Sequence, residues 1–317
     1  MSLSGRDRGV LESGLANRTV ANRLADMVNF GLANTTGAVF FVHSGTGSDA
    51  AGSGLSKDSP FATIDFAIGK CTASKGDLIF VMPGHAENVT TVTGINCDVA
   101  GITIFGLGSG ADIPTVSFTA AAGSITVGAA SVTIANLKLV ANFATGVTAG
   151  VTIAAAGDDC TLSGILFRDT LATTEFLLHV TVATTVLDLT IENCSFVTLA
   201  GSLTNSILFA GTTSNVVIQN NHFFVDSSDS VIDHLVAAAT NILIRGNHIV
   251  NQDTGAAGYV IDCHASSTGM AIDNRGAYNK VDAEMTKGAA MWWVENYFSN
   301  TIAQSGLLEP STAHAIP

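Results

Sequence analysis

Charge is scarce in this chain, and basic charge scarcest. Only 12% of its 317 residues are charged, and 13 Lys and Arg stand against 26 Asp and Glu, a formal net charge of −13. A surface that grips nucleic acid or an anionic membrane clusters Lys and Arg, so neither partner is expected. Cysteine is sparse too. Cys71, Cys97, Cys160, Cys194 and Cys263 are odd in number, irregularly spaced and never in a C-x-x-C pair. That pattern indicates neither a disulfide framework nor a zinc site, and core thiols are expected. No stretch approaches the roughly 18 continuous apolar residues of a membrane-spanning helix. The opening MSLSGRDRGVLESG is charged throughout and lacks the apolar core of about 7–15 residues that a secretion signal carries. Assembly without export is the expectation. Three Tyr and two Trp leave few aromatic platforms for sugars.

What is present is small and β-forming. Hydrophobic residues make up 47% of the chain and 32 residues are Gly, and Ala, Thr, Val and Ile abound, which suits strands with many small side chains. Two stretches, VVIQNNHFF at 216–224 and ILIRGNHIV at 242–250, are nearly one phrase written twice. Taking the last apolar residue of each triplet as an anchor extends the phrase to Ile104, Ile134, Leu162, Ile191, Ile218, Ile244, Ile272 and Val294. Two positions later stand Gly106, Asn136, Gly164, Asn193, Asn220, Gly246, Asn274 and Asn296, the residue types that most readily take a left-handed backbone. Positions two before the anchors are apolar, and those one after are mostly polar.

Successive anchors lie 30, 28, 29, 27, 26, 28 and 22 residues apart. A period in the twenties, built of short alternating strands with a bend at a fixed place, marks a β-solenoid. Further strands, such as SITV and GVTI, precede the anchor strands, so each turn supplies two or three. A leucine-rich horseshoe would need its Leu/Asn consensus and helical segments, which are missing. The expected fold is all-β: a right-handed parallel β-helix of about eight turns, with Phe167, Phe196 and Phe223 as one inward file. His222 and His248 share a column and are the weak candidates for a metal site, with no convergent carboxylate beside them. No cofactor is expected.

The ends differ from the middle. Residues 1–36 carry a short amphipathic helical pattern with Val20, Leu24, Met27 and Val28 on one face, an arm or anchor. Residues 37–100 form the opening of the β-helix with a capping helix, residues 101–300 its core, and residues 301–317 a cap or docking tail with Leu307 and Leu308 as its anchor. Ser59-Pro60 is expected to start the capping helix, with Phe61, Ile64 and Ile68 on one face and Gly69 at its end. The segment GSDAAGSGLS, then PFATIDFAI, then GDLIFVMPGHAE resembles the N-terminal opening of pectate-lyase-like right-handed β-helix proteins. That resemblance covers about fifty residues, and the period extends it over most of the chain. Such proteins are common in bacteriophage virions and among bacterial carbohydrate-active proteins.

The resemblance implies two kinds of function. β-Helix lyases use clustered Asp for calcium with an Arg or Lys base, and phage tailspike glycosidases use two or three Asp or Glu on a groove. The densest acidic stretch, FFVDSSDSVIDHL, supplies Asp226, Asp229 and Asp233, and Asp253 and Asp262 follow one turn later. These five are the weak catalytic candidates. Asp is also a preferred turn residue, and no basic residue lies in that stretch, which disfavours a lyase. The leading expectation is a non-enzymatic structural protein of a bacteriophage virion, a capsid decoration or head fibre before a tail spike. It would assemble in the host cytoplasm as a homotrimer on capsid or tail proteins, with a host surface glycan as a further ligand. The alternative is a polysaccharide-degrading β-helix enzyme, and the two part on whether the five Asp converge.

Overall fold

The alternation of inward apolar and outward polar residues closes the chain into a solenoid, seen here in a computed structural model. It describes residues 36–183, 185–199, 201, 203–234, 236–255, 258–279 and 286–299. The expected helical arm before residue 36 and the tail after residue 300 lie outside the described residues.

Three parallel sheets run the length of the coil. Sheet I has ten strands, from Val39–Val42 to Met291–Val294; sheet II has nine, from Ala86–Val89 to Tyr297–Ser299; sheet III has eight, from Ile95–Cys97 to Thr286–Lys287. A small sheet of Val186–Leu187, Thr213–Ser214 and Ala239–Thr240 lies on the path from sheet III back to sheet I. The chain visits I, II and III in order and then climbs one strand spacing, about 4.8 Å, to make a parallel β-solenoid of about seven turns. Inside, like stacks on like. The rings of Phe167 and Phe196 lie 4.8 Å apart at 11°, and those of Phe196 and Phe223 lie 4.5 Å apart at 3°. All five cysteines are free thiols, four of them buried. Burial pushes Cys160, Cys194 and Cys263 up to about 12, which leaves them as small apolar groups at neutral pH.

A helix, α1 (Ile64–Ile68), closes the N-terminal end over Ile64, Ala67 and Ile68. Its cap is Thr63, whose hydroxyl accepts from Phe66 N, and not Ser59 as expected. Asp49 decides the difference: its carboxylate accepts from Ala62 N, Thr63 N and the Thr63 hydroxyl. This moves the start of the helix past Pro60.

The bends divide into two files. Asn136, Gly164, Asn193, Asn220 and Gly246 sit at φ 54, 63, 54, 55 and 62°, between sheets I and II. Gly106 is required for another reason, because a Cβ there would lie 2.0 Å from the Asn136 carbonyl oxygen. Asn274 and Asn296 are not bends. Ile244 pairs with Ala271, and Ala271 with Trp293, so the anchors of the last two turns lie one residue before Ile272 and Val294. The left-handed positions there belong to Asp273 and Glu295, at φ 54 and 50°. The inward slot holds a small Ala271 while bulky Ile272 faces out, which misleads a count based on apolar size. A second left-handed file occupies Ser131, Asp159, Asp188, Asn215 and Asn241, at φ 57, 54, 56, 57 and 58°, and nothing in the first file announces it.

Asn274 and Asn296 belong instead to an internal amide stack with Asn221 and Asn247. Each amide Oδ1 of Asn247, Asn274 and Asn296 accepts both the backbone N–H and the Nδ2 of the asparagine one turn earlier, at 2.8–3.1 Å. The same Nδ2 groups donate to Ile191, Ile218 and Ile244 carbonyls. At the N-terminal end of the stack, Cys194 N donates to Asn221 Oδ1. A buried polar file survives only when fully partnered, and this one is.

Candidate functional site

Among the described residues, the loops between sheets II and III carry Glu175, Asp226, Asp229 and Asp253. Each loop follows the last residue of a sheet II strand, so loops of successive turns stack. In residues 226–231, Asp226 N donates to Thr198 Oγ1 and Asp229 Oδ1 accepts from Ser230 N. One turn on, Asp253 Oδ2 accepts from Gly255 N. Asp253 and Asp229 both lie within electrostatic reach of the Tyr278 phenol. Burial raises that phenol above its usual range, and the charges of Asp253 and then Asp229 add to the rise. The Asp229 and Asp253 carboxylates do the local work of turn formation, and with Asp226 they form an acidic rim.

Asp233 and Asp262 are placed differently. They lie on sheet III strands Ile232–His234 and Ile261–Cys263 and are direct register partners. Their neighbours Ile232, Ile261 and Cys263 belong to the core, and His234 stacks on the Phe209 ring at 4.2 Å. Alternation therefore turns both carboxyls to the outer face. There they are nevertheless 6% and 2% exposed. Asn205 Nδ2 donates both to Asp233 Oδ2 at 3.3 Å and to Ser230 O at 2.8 Å, which ties Asp233 to the 226–231 loop. The next register position after Asp262 is Lys287, one turn from Asp262 and two from Asp233. Of the five acids, the structure puts Asp233 and Asp262 in register, keeps Asp229 and Asp253 in the loops of successive turns, and leaves Asp226 in its loop beside Gly201.

His222 and His248 are register partners on the outer face of sheet II, exposed, with ring centroids 5.1 Å apart. Their file continues to Ser195 on one side and Arg275 on the other. Burial, with His248 and Arg168 nearby, holds His222 below its ordinary value. Among the described residues no group of three or more His, Cys, Asp or Glu is placed to hold a metal ion.

Two acids escaped the sequence reading. Asp169 ends a sheet II strand, and its carboxylate accepts from Leu199 N at 3.0 Å and Phe176 N at 3.4 Å. Burial pushes it up to about 7; those two N–H groups work against the rise, and Glu175 adds to it. Glu175 is 3% exposed. Neither residue lies in a dense acidic stretch, and the length of loop 170–177 hides their proximity from any fixed period.

No known family pattern matches the chain, and no curated protein does. Solved structures match by shape. A GH136 lacto-N-biosidase from Eubacterium ramulus superposes with a TM-score of 0.60 at 12% identity, over 82% of this chain and 56% of that one. A rhamnogalacturonan lyase gives 0.55 at 12% identity, over 84% and 74%. A pectate lyase, Bsp165PelA from Bacillus sp. N165, solved with trigalacturonate, gives 0.54 at 12% identity, over 89% and 87%. At such identity the likeness is one of fold, and in fold this chain is a pectate-lyase-like parallel β-helix.

Proposed function

We propose that the protein is a polysaccharide-cleaving β-helix enzyme, a glycoside hydrolase whose reacting pair is Asp233 and Asp262. The observation that carries this reading is their register. Their backbones stand one strand spacing apart, about 4.8 Å, and side chains leaving the same face at that spacing can reach the roughly 5–5.5 Å between the carboxyls of retaining glycosidases. The fold likeness to one glycosidase and two lyases is compatible with it. The expectation of a virion building block rested on the missing export signal, the low charge density, the lack of cysteine staples and the want of a site, and the register of Asp233 with Asp262 speaks against the last of these.

In such a reaction one carboxyl protonates the glycosidic oxygen as the C–O bond breaks. The other attacks the anomeric carbon to form a glycosyl ester. Water then displaces the ester and gives its proton to the first carboxylate. Asn205 fixes the orientation of Asp233. Asp229, Asp253 and the acidic net charge of −13 favour a neutral glycan over a polyuronate, which the rim would repel.

The test is release of reducing ends from a panel of neutral and anionic polysaccharides, with wild type, Asp233→Asn and Asp262→Asn. Product of retained anomeric configuration, lost in both variants while the β-sheet circular dichroism persists, is the expected result. Product unaffected by either substitution overturns the reading. So does a wild type that neither cleaves nor binds any member of the panel.

A further inference from the structure

The outer face of sheet I changes character along the axis. Its outward file is threonine from Thr103 to Thr190, a solvated β surface, and then becomes Val217, Leu243, Met270 and Trp292. The adjacent outward file ends in Ile272 and Val294. Trp292 is 61% exposed and Met270 37%. Large apolar side chains gathered over four successive rungs, where the preceding four rungs of the same file carry Thr, form a patch that needs a cover.

The geometry points to a cover within the chain: the segment after Ser299, seated through Leu307 and Leu308. Three observations carry this assignment. The last described strand, Tyr297–Ser299 of sheet II, is joined to the Trp292 strand of sheet I by only Glu295 and Asn296, so the described chain ends one short strand and one corner from the patch. From Ser299 to Leu307 the backbone spans at most about 26–29 Å, and the patch from Trp292 back to Val217 is three strand spacings, roughly 14 Å. Leu307 and Leu308 are the only adjacent pair of large apolar residues in 300–317. Charge agrees with reach. Arg245, at the edge of the patch, donates to Gln219 Oε1 and has no carboxylate partner among the described residues, while Glu309 directly follows the leucine pair.

Trp292 and Trp293 are the only tryptophans, so fluorescence reads the patch directly. The experiment uses the full chain with Trp293→Phe, leaving Trp292 as the sole tryptophan, excited at the red edge where the three tyrosines do not absorb. Its emission and acrylamide quenching are compared with those of the same chain carrying Leu307→Asp and Leu308→Asp, over a dilution series with light scattering. A protected, blue-shifted Trp292 is expected in the parent at every concentration. The double substitution should shift it to the red and raise the quenching constant about two-fold, as for an indole passing from apolar cover to water. Glu309→Lys, which puts no charge into the patch, should raise quenching in the same direction by less. Quenching identical in parent and both variants overturns the assignment. Protection that disappears on dilution as an oligomer dissociates also overturns it, and gives the patch to a second copy of the chain.

Discussion

At the residue scale, His179 is the side chain least at ease. It is buried among the rings of Phe167, Phe176 and Phe196, with centroids 5.2–5.4 Å away, and neither ring nitrogen has a hydrogen-bond partner among the described residues. Burial, with Arg168 adding, lowers it from 6.5 to about 3. The folded chain therefore declines a proton that the unfolded chain accepts, and stability falls as pH drops from about 6.5 towards 3, by up to about 1.4 kcal/mol per pH unit. His179→Leu should remove that slope and add about 1–3 kcal/mol near neutrality, since unpartnered buried polar atoms go with it. Urea midpoints measured across pH check both; a steeper acid limb in the variant would refute the account. Asp169 runs the other way. Its folded value, raised to about 7, means the folded state holds the extra proton, so its contribution is present at low pH and is lost as pH rises through about 7. A carboxyl carbon titrating there by NMR, and missing in Asp169→Asn, is the expected signature.

At the element scale, bend and stack respond oppositely to the same substitution. Asp273 sits at φ 54°, where Gly is free of the Cβ penalty, so Asp273→Gly should change stability by less than about 1 kcal/mol. Asn274, one residue on, accepts from Asn247 and donates to Asn296 and to the Ile244 carbonyl. Asn274→Gly strands those groups inside the coil and should cost about 2–4 kcal/mol. Thermal melts of the two variants decide it, and a cheap Asn274→Gly would return Asn274 to the bend file. This neighbouring pair also shows what was legible in the sequence. The period and the inward Phe167–Phe196–Phe223 file could be read because each rung repeats the same side-chain environment. The last two anchors could not, because Ala271 fills an inward slot while Ile272 points outward, and size then mimics burial. The cap at Thr63 was hidden for a related reason: it depends on Asp49, 14 residues away, and no local pattern carries that contact.

At the scale of the whole molecule, the parallel stack converts sequence distance into a short ruler. Asp233 and Asp262 are 29 positions apart in the chain and one rung apart in space. That pairing was readable from the period, as was the candidacy of the five acids. The Asp169–Glu175 pair and the place of Lys287 were not, because they depend on loop lengths that vary from turn to turn. The same stacking concentrates charge: with 26 acidic against 13 basic residues, a ligand approaches a coil whose loop face between sheets II and III is rimmed by Asp226, Asp229 and Asp253. Salt is the lever that separates ligand classes here. At about 0.15 M ionic strength the Debye length is about 8 Å, against about 30 Å at 0.01 M, so an anionic glycan should bind more tightly as salt rises and the acidic field is screened. A neutral glycan, held by hydroxyl contacts and by the Asp233–Asp262 pair, should show a KM nearly independent of salt over that range. The expected outcome is the flat profile. A KM that falls steeply with added salt would make the ligand a polyanion and would overturn the neutral-glycan reading.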